Sequence, residues 1–228
     1  MDRRELLERY EALGDERDFV AAKPLYEQAL DEAEDARDLC DFGYLLECHG
    51  RSELRHAVAL YERAIELDPA YDKSHYQLIV ARAALREPER AVAVYELRAA
   101  ASPGEVREHR FLAQAYLAAH AFEKAREAAD AGLALASDDA ALTASRGEAK
   151  AGLGDTEGAL ADWRLALELE PEDIGALYSS AFLLEREGRV AEAAEAWQEI
   201  IAWNEARGFE LQTAWPKQEL DRVRGVTT

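Results

Sequence analysis

Two of the five histidines and both cysteines are the residues whose types and spacing could support metal or redox chemistry. His75 and His109 are thirty-four residues apart. If they occupy equivalent places on neighbouring helices, whose axes pack ~8–10 Å apart, a shared metal ion is conceivable. A zinc site needs further nitrogen, sulfur or carboxylate ligands, and neither a carboxylate nor a cysteine completes a set here. We therefore expect no metal, because equivalent positions in repeated units simply tend to carry the same residue.

Cys40 and Cys48 are eight residues apart. On one helix this spacing corresponds to roughly 12 Å along the axis, which is too far for a disulfide bond. Reduced thiols fit a cytoplasmic protein, in which these side chains serve packing, with redox sensing as the alternative. The glycines occur singly rather than in a phosphate-binding loop, and no serine has a paired histidine and aspartate at a recognised spacing. We predict no catalytic residues and no cofactor.

The charge balance narrows the classes of partner. The 228 residues include 27 Lys and Arg against 47 Asp and Glu, a formal net charge of −20. Because nucleic-acid binding requires cations that neutralise phosphates, this composition argues against it. Residues 71–110 are nevertheless about neutral, between acidic flanks. The start of the chain lacks the apolar core of a secretory signal, and no run approaches the ~20 apolar residues of a membrane span. We expect a cytoplasmic protein, and the excess of arginine over lysine suggests a GC-rich bacterial source.

A fixed period of thirty-four residues runs through most of the chain. One column contains only alanine, and it consists of Ala57, Ala91, Ala125, Ala159 and Ala193. Four residues further on, a second column holds mostly large aromatic side chains, and it consists of Tyr61, Tyr95, Ala129, Trp163 and Trp197. Twelve residues after the alanines, proline fills three of the five positions. Columns that agree at one period indicate a chain built from structural repeats.

Each unit has the pattern of two amphipathic helices. In residues 176–201, apolar residues at helical spacing lead to Leu184, Gly188 interrupts the run, and a second apolar stripe ends at Ile201. The alanine column would let the two helices of a pair approach closely, with the aromatic residue one turn later filling the space beside it. Proline at the end of a unit cannot continue a helix, so it ends one pair before the next begins. Since Gly, Pro and β-branched residues are few, we predict an all-α chain.

The order of small residue, aromatic residue and proline, after a first helix of the form Leu-Gly/Ala-x2-Tyr, resembles the tetratricopeptide repeat (TPR). LAQAY at 112–116 and FGYLL at 42–46 match the first-helix signature, and 146–171 matches along its length. The resemblance covers about residues 36–207 and implies an all-α, right-handed superhelical solenoid of about six antiparallel helix pairs. The predicted divisions are a degenerate first pair at 1–35, repeats at 36–70, 71–104, 105–138, 139–172 and 173–207, and a C-terminal capping helix and tail at 208–228.

The last pair needs a cover for its apolar edge. We predict a capping helix over 214–225, begun by Pro216, that covers Ile201 and Trp203. Alternatively, Trp203 and Trp215 contact a second copy of the chain. We therefore expect a monomer or a weak dimer.

In TPR proteins the first helices line a concave groove that takes a peptide or partner segment, so the resemblance implies which residues face a partner. The implied groove residues are Tyr44, Lys73, Tyr76, Gln77, Arg107, Arg110, Gln114, Glu148, Tyr178 and Phe182. Because guanidinium groups bind carboxylates well, Lys73, Arg107 and Arg110 suggest a pocket for an acidic or C-terminal carboxylate peptide. The alternative is that these cations are solvated and paired with nearby acids. Those nearby acids are Asp72, Glu105 and Glu108.

The resemblance implies a non-enzymatic scaffold or adaptor that binds a protein or peptide. Two alternatives stay open: a dedicated chaperone for a secreted or assembling client, and a peptide-sensing regulatory subunit of an enzyme. No nucleic-acid or membrane partner is expected.

Overall fold

A computed structural model describes residues 2–13, 16–32, 35–50 and 53–225. These residues form 13 helices and no strand, which confirms the all-α prediction. The helices are α1 Arg3–Leu13, α2 Glu16–Glu32, α3 Ala36–His49, α4 Leu54–Leu67, α5 Asp72–Ala84, α6 Pro88–Ala101, α7 Val106–Ala118, α8 Phe122–Leu135, α9 Ala140–Gly152, α10 Thr156–Leu169, α11 Gly175–Arg186, α12 Val190–Ala206 and α13 Glu210–Val223.

The chain divides into two compact units, Met1–Arg98 and Ala99–Thr228. In the first unit, α1 packs on α2, α3 packs on α4, and the first helices α1, α3 and α5 contact one another in order. In the second unit, the pairs are α7 with α8, α9 with α10, and α11 with α12, and α13 packs on α12. The first helices α7, α9 and α11 again contact one another in order. Each of the six predicted ranges from 1–35 to 173–207 contains two helices, and the exact division between repeats stays a prediction.

The alanine column lies in the core at every repeat. None of its five members is more than 2% exposed. The aromatic column is equally buried, with Trp163 the most exposed member at 4%. The degenerate first pair has the same four-residue spacing of alanine and aromatic residue, and its Ala22 and Tyr26 are fully buried. Small and large side chains at fixed spacing therefore form the packed interior, as the sequence predicts.

Glycine in the first helix allows a close approach to the aromatic residue of the second helix. A Cβ added to Gly43 would lie 2.6 Å from Tyr61 Cε1, and one added to Gly147 would lie 2.8 Å from Trp163 Nε1. The Trp163 indole also donates a hydrogen bond to the Ala144 carbonyl of the same first helix, at 3.2 Å. In these two pairs, the glycine of the first-helix signature thus contacts the aromatic residue of the second helix.

Aspartates in the acidic runs at 31–38 and 137–140 cap the helices that follow them. Asp35 accepts hydrogen bonds from the first backbone amides of α3, and Asp139 accepts one from Leu142 N at 2.9 Å. These side chains satisfy donors that a helix leaves unpaired at its N-terminus. The side chains of residues 31–34 lie outside the described residues.

The C-terminal helix begins earlier than predicted. It runs over Glu210–Val223 rather than 214–225, so Pro216 lies inside it and does not start it. Proline has no N–H for the carbonyl four residues earlier, which here belongs to Gln212. The buried Asn204 side chain supplies the missing donor, because its Nδ2 lies 3.2 Å from Gln212 O. The helix can therefore continue through the proline.

The C-terminal helix covers the apolar edge of the last pair. Leu220 of α13 is buried in a cluster with Trp197 and Ile200, and Ile201 packs against it as predicted. Trp203 has a different environment: its indole donates to Pro171 O at 3.1 Å, and the Arg207 guanidinium lies 3.9 Å from its ring centroid. The Trp203 ring also lies 5.9 Å from the ring of Phe209, the residue just before α13. Cover of Trp203 by the helix itself stays a prediction.

Candidate functional site

All ten implied groove residues lie on first helices of the predicted pairs. In the first unit, α3 carries Tyr44, and α5 carries Lys73, Tyr76 and Gln77. In the second unit, α7 carries Arg107, Arg110 and Gln114, α9 carries Glu148, and α11 carries Tyr178 and Phe182. Because first helices pack side by side within each unit, each set shares one helical layer. Lys73 belongs to one unit and Arg107 and Arg110 to the other, so a pocket that combines all three stays a prediction.

In the first unit, the implied groove residues Lys73 and Tyr44 already have partners within the chain. Lys73 Nζ lies 3.0 Å from Asp41 Oδ1 and 5.7 Å from the centroid of the Tyr44 ring. The Tyr44 hydroxyl donates to Glu11 Oε1 at 2.8 Å. Burial, followed by this contact with a carboxylate, raises the pKa of Tyr44, so its hydroxyl stays protonated and donates.

Two buried aspartates of α3 connect the first helices of this unit. Asp38 and Asp41 are each 6% exposed. Arg3 and Arg4 of α1 bind Asp38, with Arg4 Nη2 at 3.0 Å from Oδ1, and Arg4 Nε also lies 3.4 Å from Asp41. With Lys73 on the other side, a charge network links α1, α3 and α5. Charge-assisted hydrogen bonds of this kind compensate for the burial of the carboxylates.

The second unit uses the same device between α7 and α9. Arg110 Nε donates to Asp139 Oδ2 at 2.7 Å, and the same carboxylate caps α9. Gln114 Nε2 donates to Ser145 Oγ at 2.9 Å. The Arg107 guanidinium lies 5.2 Å from the ring centroid of Phe111 on the same helix. Arg110 and Gln114 therefore hold neighbouring helices together, and any partner carboxylate would have to share Arg110 with Asp139.

Glu148 lies one repeat after Gln114 and one repeat before Phe182 in sequence. Its side chain is exposed, yet the surrounding protein desolvates it and raises its pKa, which His120 only partly offsets. A carboxylate that is accessible and also surrounded by protein atoms is expected in a concave surface. Such a group favours a cation or a hydrogen-bond donor from outside.

Aromatic side chains gather at the α11 end of this surface. Tyr178 stacks on Trp215 of α13 with ring centroids 5.9 Å apart and an interplanar angle of 22°. Phe182 lies 6.0 Å from Trp215 and meets the buried Trp197 edge-on at 5.4 Å. Phe182 is 48% exposed and Trp215 44% exposed. Trp215 was predicted for the cap or a dimer contact, and this placement was missed, although Trp215 follows Phe182 by close to one repeat.

His75 and His109 each contact a backbone carbonyl of a turn. Within the first unit, His75 Nε2 lies 3.1 Å from Pro69 O and Nδ1 lies 3.1 Å from the Tyr95 hydroxyl. His109 repeats the first contact, with Nε2 3.0 Å from Pro103 O. Each imidazole thus ties a first helix to the proline turn before it.

The described residues contain no metal-binding cluster, and burial raises the pKa of both thiols. Burial raises the pKa of the Cys40 thiol to about 11, which keeps it protonated. No group of three or more His, Cys, Asp or Glu side chains in the described ranges is arranged to hold a metal ion. In the same ranges, no helix is both long and apolar enough to span a bilayer.

Stacked helix pairs, with a small–aromatic contact shown inside two of them, define a TPR-like protein, as the sequence predicts. Comparisons with protein-family models and with curated proteins return no match. Solved structures of TPR proteins do match in fold. A thermophilic TPR protein of Thermus thermophilus is 21% identical, with 84% of this chain and 98% of that chain covered and a TM-score of 0.61. A tetratricopeptide repeat protein of Parabacteroides merdae is 15% identical, with 97% and 93% covered and a TM-score of 0.55. MamA of Desulfovibrio magneticus is 20% identical, with 75% and 96% covered and a TM-score of 0.50.

Proposed function

We propose that the chain is a non-enzymatic scaffold that binds a segment of a partner protein along α7, α9 and α11. The exposed pair of Phe182 and Trp215 carries this proposal. Other large aromatic side chains, such as Tyr95 and Trp197, are fully buried. Adjacent exposed aromatic rings on a rigid support are typical of the centre of a protein interface.

The same surface suggests the chemistry of the partner segment. An apolar or aromatic side chain would pack between Phe182 and Trp215, each about half exposed. An acidic or C-terminal carboxylate group would bind at the other end, at Arg107 and at Arg110 shared with Asp139. Glu148 lies on the helix between these ends and accepts a donor from the segment.

Site-specific photo-crosslinking in the source cell tests the proposal. A benzophenone side chain replaces Phe182 in one variant and Leu135 in the control, because both residues are 48% exposed. We expect one defined protein to crosslink through position 182 and not through position 135. Equal crosslinking at both positions, or none at 182, would contradict a binding site at α11.

The crosslinked segment, identified by mass spectrometry, then serves as a labelled peptide in an anisotropy titration. Phe182→Ala should raise its Kd at least tenfold, which corresponds to the roughly 1.4 kcal/mol expected for an interface anchor. The carboxylate element is tested with Arg107→Glu, because Arg110→Glu would place a second carboxylate next to Asp139. If the wild type and Arg107→Glu bind an acidic segment with equal affinity, the proposed carboxylate contact is wrong, while the proposed aromatic site is unaffected.

A further inference from the structure

A cleft that the groove prediction does not use lies between α10 and α12, with α11 as its floor. It encloses about 210 Å³. Apolar side chains from all three helices line most of it; they include Leu160, Leu167, Leu177, Leu184 and Ala196.

This cleft is on a different side of α11 from the aromatic surface. Leu177 and Leu184 face the cleft, whereas Tyr178 and Phe182 face Trp215. At about 100° per residue, the two sets are separated by roughly 130° around the helix axis. The cleft is therefore a separate surface from the one proposed above.

The volume of the cleft indicates the kind of occupant. Pockets for small organic ligands usually exceed about 300 Å³, and this cleft is smaller. An apolar hollow of this size fits one or two side chains of a partner that continues across the surface. Helices recognise other chains in this way, by placing an apolar face in a groove between helices.

The α12 edge of the cleft carries carboxylates that lack cations. Glu195 and Glu199, one turn apart, line the edge and are exposed. Across the part of the chain that the structure describes, neither has an ion pair, whereas Glu192 beside them is bound by Arg189. One repeat earlier, these two positions hold Ala161 and Leu165, so the acidic edge is not a repeat feature.

The opposite edge has the opposite charge. Arg164 of α10 lines it, so a cation entering the cleft is favoured beside α12 and disfavoured beside α10. This asymmetry selects the orientation of an occupant as well as its charge.

We propose that this cleft binds an amphipathic helix of a partner protein. The helix places an apolar side chain in the hollow and two basic side chains, three or four residues apart, against Glu195 and Glu199. The spacing follows from the single turn that separates the two glutamates on α12. The formal net charge of −20 also favours a basic partner.

A displayed library of helical peptides tests the proposal without a known partner. The peptides have a fixed leucine stripe and randomised flanking positions, and they are selected against the full chain. Selection should enrich lysine or arginine at two positions one turn apart, beside the leucine that enters the cleft. Glu195→Lys with Glu199→Lys should weaken an enriched peptide at least tenfold, and the same peptide with its two cations changed to glutamate should regain affinity for that variant.

The matched control is Glu123→Lys with Glu127→Lys on α8, which makes the same charge change at the same spacing on exposed positions. It should leave the affinity unchanged, as should Phe182→Ala, because that residue lies on the other surface. Ser180→Leu, which fills the cleft from its floor, should weaken binding while the urea midpoint stays the same. The proposal is overturned if no peptide is enriched, or if enriched peptides bind the Glu195→Lys/Glu199→Lys variant as well as the wild type. Loss of binding in Phe182→Ala would also overturn it and would assign the peptides to the aromatic surface.

Discussion

The turn inside successive helix pairs places one residue in the left-handed region at the same repeat position. The backbone angle φ is 85° at Gly154 and 71° at Gly188, but also 62° at Arg86 and 55° at His120. For a residue with a side chain, this conformation lowers the free energy of unfolding by roughly 1–2 kcal/mol. Glycine avoids that cost, but its larger loss of conformational entropy on folding costs roughly 0.5–1 kcal/mol. Arg86→Gly should therefore raise the free energy of unfolding by about 0.5–1 kcal/mol.

Arg86 is the cleanest of the four positions for this test. Its side chain is exposed and makes no hydrogen bond or ion pair among the described residues, and its backbone N–H still donates to Ala83 O after the change. His120→Gly should gain less, because it also removes the edge-on contact between the His120 and Phe122 rings at 5.7 Å. Gly188→Ala should lose stability through the backbone alone, since an added Cβ would meet no atom within 4 Å.

Urea unfolding followed by circular dichroism measures all three variants. Arg86→Gly should raise the midpoint and Gly188→Ala should lower it, with thermal midpoints moving about 2–4 °C per kcal/mol for a chain of this size. A lower midpoint for Arg86→Gly, or no change for Gly188→Ala, would refute the idea that the left-handed backbone sets the stability of these turns.

Three further outcomes are expected. Gly147→Ala should lower the free energy of unfolding by roughly 1–3 kcal/mol in urea, because the added methyl would lie 2.8 Å from Trp163 Nε1; an unchanged midpoint would show that the indole simply moves. Asn204→Ala should lower the free energy of unfolding by roughly 1–3 kcal/mol, because it leaves the Gln212 carbonyl of α13 without a donor. Adding Pro216→Ala to this variant should recover part of the loss, because alanine at 216 supplies a backbone N–H for the same carbonyl. Burial raises the pKa of Glu47 above 4.5, so its ionisation opposes folding as the pH rises; Glu47→Gln should be more stable than the wild type at pH 7, with a difference that disappears below pH 4.

The packing of each pair could be predicted from the sequence because it depends on residue size at a fixed period. Alanine or glycine opposite an aromatic side chain is a local pattern, and every repeat must solve the same geometry. The buried column from Ala57 to Ala193 and the contact of Gly43 with Tyr61 follow from that pattern. Aspartate before a helix start is equally local, so the cap at Asp139 was predictable.

Contacts between repeats could not be predicted in the same way. Lys73 pairs with Asp41 at a separation of 32 residues, and Arg110 pairs with Asp139 at a separation of 29. The two ion pairs therefore do not occur at equivalent positions of the repeat. One aspartate lies inside a helix and the other at a helix start, and only the three-dimensional register of neighbouring first helices brings them to a cation.

The start of α13 could not be predicted for a second reason. The rule that proline starts a helix predicts a beginning at Pro216, and it fails because a side chain from the preceding helix replaces the lost donor. The donor, Asn204, precedes the proline by about three helical turns of sequence and belongs to another helix. A local rule does not include compensation by a neighbour in space.

The pairing of charges indicates how each surface would bind. A partner carboxylate at Lys73 or Arg110 would compete with an aspartate of the same charge, so its net electrostatic gain is small. Phe182 and Trp215 have exposed apolar area to bury, and Glu195 and Glu199 have no cation partner among the described residues. Binding that depends on Phe182 and Trp215 should therefore change little with salt. Binding in the cleft should weaken as ionic strength shortens the Debye length from about 10 Å at 0.1 M to about 3 Å at 1 M. Affinities measured at two salt concentrations would distinguish the surfaces even before a partner is known, because a peptide bound mainly by burial and one bound by paired charges respond differently to the same change.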